Sequence, residues 1–169
     1  MQITTDIVKE LRELSGAGVM DCRNALVETE GDMKKALAIL KEKSLVKAQK
    51  KAGRSASQGI IEAYIHSGKS IGAMVELNCE SDFVALTTEF QQLAHDIAMQ
   101  VAASSPKYIS EEEMPKDKDG EETPETSCLL AQPFIKSPDK TIRDVINEAI
   151  GKIGENIKIN RFSRFELGN

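Results

Sequence analysis

Few residues in this chain have the types and spacing to do chemistry, and they gather in the stretch Asn78-Cys79-Glu80-Ser81-Asp82-Phe83-Val84-Ala85. Cys79 beside Glu80 and Asp82 suggests a reactive thiol at first. A thiolate needs positive neighbours, however, and carboxylates disfavour it. No histidine is near in sequence to act as its base, since His66 and His95 both stand apart. The three cysteines, Cys22, Cys79 and Cys128, are odd in number and widely separated, which suits neither a disulfide framework nor zinc ligation. There is no nucleophile–base pair and no glycine-rich phosphate loop. The expectation is therefore no enzyme, no resident metal and no cofactor. What remains is a carboxylate and an aromatic ring side by side, Asp82 and Phe83, where the chain changes from one regular pattern to another. They either start a helix or project as a tool toward another molecule.

The elements that must position them are legible on both sides. Gly59 to Ile65 and Ser70 to Asn78 alternate apolar and polar residues as strands do, with His66-Ser67-Gly68-Lys69 as the turn. Ile61, Ala63 and Ile65 share one face of the first strand; Ile71, Ala73, Val75 and Leu77 share one face of the second. After Cys79 the period becomes helical. Phe83, Leu86, Phe90, Leu93, Ala94, Ile97 and Val101 form a single stripe to about Ala103. This phase alone favours burial of Phe83, seven residues before Phe90.

Upstream, residues 4–43 read as three short helices. Thr4 or Thr5 caps the first, and Ile7, Val8, Leu11 and Leu14 form its stripe. Ser15-Gly16-Ala17-Gly18 ends it. The second helix, Val19 to Thr29, turns Cys22, Ala25 and Leu26 inward. Asp32 caps a third that carries Met33, Ala36, Leu37 and Leu40. A basic linker follows, with Lys41, Lys43, Lys47, Lys50, Lys51 and Arg54 opposed only by Glu42. It serves as a solvated helical tail or as a positive docking strip.

Downstream, residues 104–127 form a loose acidic connection broken by Pro106, Pro115 and Pro124, with a short extended piece at Lys107 to Ile109. Cys128 to Ile135 make an apolar patch. Thr141 caps a helix carrying Ile142, Val145, Ile146, Ala149, Ile150 and Ile153. Ile157, Ile159, Phe162 and Phe165 predict a final strand with an irregularity where the phase shifts, its Lys158, Asn160, Arg161 and Arg164 making an exposed face or edge. The fold class is α+β: a three-helix module over 1–45, a basic linker over 46–58, and over 59–169 a core with a three-stranded antiparallel sheet and packed helices. The charge of −5 and 4% aromatic content argue against a nucleic-acid binder. No apolar run approaches the roughly 18 residues of a membrane span. The N-terminus shows no secretory pattern, so a cytoplasmic location is expected.

Four blocks, in order, resemble one family. They are Val8-Lys9-Glu10-Leu11-Arg12 with Gly16-Ala17-Gly18-Val19-Met20-Asp21-Cys22; Lys47-Ala48-Gln49-Lys50-Lys51-Ala52-Gly53-Arg54; Val75 to Ala85; and Leu129-Leu130-Ala131-Gln132-Pro133-Phe134 with Ile153-Gly154-Glu155-Asn156-Ile157, ending Arg161-Phe162-Ser163-Arg164-Phe165-Glu166-Leu167. They are similar to bacterial translation elongation factor Ts. The resemblance implies a non-catalytic guanine-nucleotide exchange factor that binds elongation factor Tu, both GDP-bound and nucleotide-free. It implies that the N-terminal module is ubiquitin-associated-like and docks on the partner's nucleotide-binding domain through Arg12, Val19, Met20 and Lys51. It further implies that Ser81, Asp82, Phe83 and Val84 dislocate the partner's magnesium, with Phe83 as a wedge.

The chain departs from the family pattern in having Ser81 for threonine, Val19 for methionine, and an acidic stretch over 110–127 where further helix is usual. It resembles short members, in which two chains pair through their sheets, and a homodimer is expected. Neither membrane nor direct nucleic-acid contact is expected. The alternative is an RNA- or ribosome-binding module using the basic linker with Arg161 and Arg164. A further alternative is a polypeptide-binding module confined to residues 1–54.

Overall fold

The computed structural model describes residues 3–115 and 122–168. Of the acidic stretch, Asp117, Asp119 and Glu121 therefore lie outside the described residues. The chain divides into two units, Met1–Arg54 with Asn147–Asn156, and Ser55–Ile146 with Ile157–Asn169.

In the first unit, helices α1 (Thr5–Ser15), α2 (Val19–Glu28) and α3 (Met33–Lys51) enclose Val8, Leu11, Cys22, Ala25, Leu26, Ala36 and Leu40. Gly16 ends α1 with a left-handed φ of 66°, its N–H donating to the Arg12 carbonyl at 2.8 Å. Asp32 caps α3 by accepting from the Lys35 N–H at 3.1 Å. Thr4 sits at the cap position of α1, but its side chain makes no capping bond. Two stripe residues face outward: Leu14 is 56% and Leu37 is 39% exposed. A helix on a small core buries a narrower arc than its apolar residues span. Helix α3 runs on through Lys51, so the first part of the basic linker is helix. Asn156, buried in the same unit, donates to the carbonyls of Arg54 at 2.8 Å and Ala52 at 3.4 Å and so ties down the chain after α3.

The second unit is built on a three-stranded antiparallel sheet. Its strands β1 (Gln58–Ile65) and β2 (Ile71–Cys79) form the expected hairpin. Gly59 opens β1 with φ 148°, and a Cβ there would lie 2.1 Å from the Leu77 carbonyl oxygen, so only glycine fits. Ala73, Val75, Leu77 and Cys79 of β2 are buried. The face that Ile61, Ala63 and Ile65 share in the first strand is the outer one. Ile60, Glu62 and Tyr64 stand opposite Leu77, Val75 and Ala73, while Ile61, Ala63 and Ile65 stand opposite Glu76, Met74 and Gly72 on the outer face. Both sets alternate, and alternation alone cannot say which one faces the core.

The helical run after Cys79 is broken in two, α4 (Asp82–Ala85) and α5 (Thr88–Ser104). Helix α5 packs against the sheet and buries Phe90, Leu93, Ala94, Ile97, Ala98, Gln100 and Val101. Beyond it, Lys107 and Tyr108 donate backbone N–H to the Ser127 carbonyl, and the N–H groups of Leu129 and Leu130 donate to the carbonyls of Tyr108 and Ile109. The described flanks of the acidic stretch are thus tied down, and the short helix α6 (Pro124–Ser127) closes the second flank. Sequence reading missed a small hairpin, β3 (Pro133–Phe134) with β4 (Ser137–Thr141), because β3 is only two residues long and β4, Ser137-Pro138-Asp139-Lys140-Thr141, has no apolar alternation. Helix α7 (Ile142–Ile153) starts with a reciprocal cap between Thr141 and Asp144.

Gln100 holds this region on α5. It is fully buried; its Nε2 donates to Ser104 Oγ at 2.9 Å and the Pro133 carbonyl at 3.1 Å, and its Oε1 accepts from the Ile135 N–H at 2.9 Å. Gln100→Ala strands these groups in the interior and is expected to cost about 3 kcal/mol. Thermal unfolding checks this, with a fall in Tm of roughly 6–12 °C expected at this chain size.

The last strand, β5 (Lys158–Glu166), pairs with β2 and carries the expected irregularity. Leu77 faces Ile159 and Glu76 faces Arg161, so Asn160 is the extra residue. The bulge moves the inward positions from Ile159 to Phe162 and Arg164. Arg164, expected on the exposed side, instead lies against the end of α5 and donates through Nε to the Ala102 carbonyl at 3.0 Å, where a cation suits the helix C-terminus. Glu76 clamps the bulge from the outer face, accepting from Arg161 Nε at 2.7 Å and Asn160 Nδ2 at 2.9 Å. The bonds from Arg161 and then Asn160 hold its carboxyl below the usual glutamate range. A carboxyl depressed in the folded state stabilises above its unfolded pKa, and the contribution is lost as pH falls through the folded value. Glu76→Gln should therefore lower stability at pH 7, and the gap to the parent should close as the pH falls below about 4. Denaturant midpoints across that range test it.

Candidate partner-binding site at a strand-to-helix turn

Strand β2 ends on Cys79, a buried thiol that donates to the Ser81 carbonyl at 3.1 Å. Ser81 is extended (φ −123°, ψ 154°) and caps α4 by accepting from the Val84 N–H at 3.3 Å. The turn is anchored at both ends, by Cys79 beneath it and by buried Ala85 after it. Between those anchors Asp82 and Phe83 point to solvent. Asp82 sits in the first turn, where a negative charge suits the helix N-terminus. Phe83 is 81% exposed, the highest value among the large exposed hydrophobic residues described. Val84 is half-buried.

The periodicity that favoured burial of Phe83 fails for a local reason. Leu86 and Thr87 interrupt the helix, so Phe83 and Phe90 do not share one axis. Phe90 is fully buried and Phe83 is not. Leu86 leaves the predicted stripe for the same reason and is 73% exposed. Sequence reading missed it as a surface neighbour of Phe83; the only signal was Thr87-Thr88-Glu89, a capping pattern inside an apolar period.

The other candidates lie in the three-helix unit. Arg12 and Val19 line a groove of about 290 Å³ with Ile3, Thr4, Thr5, Val8, Lys9 and Arg23. Its floor is apolar and its rim carries three cations; Lys9 and Arg23 were not singled out in the sequence. Val19 is 50% and Met20 is 61% exposed at the start of α2. Met20 is thus surface rather than core, but it does not line the groove. Lys51 is half-buried in the last turn of α3 and does not line the groove. The basic strip is partly neutralised within the unit: Lys47 pairs with Asp21 at 3.1 Å and Lys43 with Glu28 at 3.6 Å.

A family model described as elongation factor TS matches residues 2–125. The chain belongs to the elongation factor Ts family. It is 49% identical to elongation factor Ts of Carboxydothermus hydrogenoformans, with 98% of this chain and 89% of the relative covered. It is 48% identical to elongation factor Ts of Caldanaerobacter subterraneus subsp. tengcongensis, with 98% and 97% covered. It is 48% identical to elongation factor Ts of Finegoldia magna, with 99% and 90% covered. The first two alignments run over 194 residues against the 169 of this chain, so these elongation factor Ts relatives carry internal residues that it lacks.

Proposed function

We propose that the chain is a guanine-nucleotide exchange factor for elongation factor Tu. The observation that carries this reading is Phe83. A large aromatic ring on a capped, anchored turn is left 81% exposed, which serves no purpose in the fold and suits insertion into another protein. Ser81, Asp82, Phe83 and Val84 then act on the partner's magnesium site, and Arg12, Val19, Met20 and Lys51 dock the three-helix unit. The carboxylate of Asp82 and the ring of Phe83 displace groups that hold the ion. Magnesium tolerates little distortion of its octahedral shell, so its grip on the nucleotide phosphates weakens. No bond is made or broken by the factor.

Linkage sets the requirement. A factor that releases GDP by weakening its grip binds nucleotide-free elongation factor Tu better than the GDP-bound form, and nucleotide then binds worse by the same ratio. A thousandfold ratio corresponds to about 4 kcal/mol. The test is titration of the factor against both forms of the partner. Equal affinity for the two overturns the proposal.

The same reading includes a homodimer formed through the sheets and action in the cytoplasm. Ile61, Ile65, Met74 and Phe165 are exposed on the outer face of the sheet, and such an apolar surface favours a partner. No described helix is long and apolar enough to cross a membrane. The pairing of Lys43 and Lys47 with acidic residues weighs against RNA binding by the basic strip.

A further inference from the structure

We infer that Thr87 is a positioning residue for Phe83, and that its hydroxyl sets the angle at which the ring is presented. This rests on the exchange reading and adds to it a residue outside the turn itself. Thr87 is the one extended residue between α4 and α5 (φ −73°, ψ 141°). Its hydroxyl serves both helices at once. It donates to the Val84 carbonyl at 2.7 Å, satisfying the end of α4, and accepts from the Phe90 N–H at 3.3 Å, satisfying the start of α5. Its backbone does the same, its N–H donating to Val84 at 3.0 Å and its carbonyl accepting from Gln91 at 3.0 Å.

The alternative conformation is plain from helix geometry. Were the helix continuous from Asp82, Phe83 and Phe90 would lie nearly two turns apart on one face, and the ring would follow Phe90 toward the core. The break holds the ring out. Thr87 is itself exposed, so its side chain is not held there by packing, and its two hydrogen bonds are what it contributes. Valine has the same shape and the same preference for extended backbone but makes neither bond. Serine makes both.

The test is GDP release from elongation factor Tu with the full-length parent, Thr87→Val and Thr87→Ser, read as a function of factor concentration. Thr87→Val should lower the maximal release rate about fivefold, while the half-saturating concentration, set by docking of the three-helix unit, stays within about twofold. Thr87→Ser should restore the parent rate. Tm measured alongside shows that each variant is folded. An unchanged rate in Thr87→Val overturns the inference, as does a loss that serine does not rescue or a change confined to half-saturation, while the exchange reading stands. If the parent itself leaves GDP release unchanged, the exchange reading falls and this inference with it.

Discussion

Phe83→Ala is expected to slow factor-stimulated GDP release by about ten- to a hundredfold while leaving the fold almost untouched. The two halves of this result have one cause. Burying a phenylalanine side chain contributes about 1.5–3 kcal/mol, a factor of roughly 10 to 150. In the free chain Phe83 is 81% exposed, so little of that is realised until the partner covers the ring. The folded chain loses about 0.5 kcal/mol or less on truncation, and Tm moves by about 2 °C or less. Asp82→Ala should act in the same direction, since Asp82 is also exposed. Stopped-flow release of labelled GDP with thermal unfolding of the same samples checks both halves. A large loss of stability would mean that the ring is core.

The second large effect concerns the outer face of the sheet. Ile65 and Phe165 flank Gly72 from the two edge strands, and Ile61 and Met74 lie on the same side. Gly72 has no side chain, and the Ile65 side chain lies over it, so the row Ile65–Gly72–Phe165 is apolar, with Ser163 beside Met74 and Glu76 beside Ile61 at its margin. A sheet face of this kind is ordinarily covered. The double variant Ile65→Ser, Phe165→Ser should raise the dimer dissociation constant by at least about a hundredfold, as expected when central apolar contacts are removed from both copies. Light scattering at micromolar concentration should give twice 18.5 kDa for the parent and 18.5 kDa for the variant. A parent of single-chain mass contradicts the homodimer.

Much of the fold was legible because local signals agree with the tertiary outcome. Gly16 and Asp32 mark helix ends by their backbone and capping chemistry. The phase slip between Ile159 and Phe162 announces a bulge before its partner strand is known. Other features turn on facts that lie outside the local sequence. Ile61, Ala63 and Ile65 alternate as well as Ile60, Glu62 and Tyr64, and only the packing of α5 decides which set is inside. The hairpin from Pro133 to Thr141 depends on the long-range hold of Gln100. Arg164 reads as a surface cation until the end of α5 is placed beside it.

The candidate site shows the same division in one short stretch. Its place between strand and helix follows from pattern alone, and its residues follow from the family resemblance. Its exposure does not follow from periodicity, because one threonine at position 87 resets the helical phase and the apolar run gives no other sign of a break. Phe83 and Leu86 therefore read as core by period and stand at the surface in the structure, at 81% and 73% exposed.

The most direct measurement is the rate of GDP release from purified elongation factor Tu as this chain is added at fixed magnesium. An exchange factor should raise that rate in a saturable way, with Phe83→Ala docking at similar concentrations but reaching a much lower plateau. A release rate that stays flat with the parent chain, at concentrations where the two proteins associate, would contradict it.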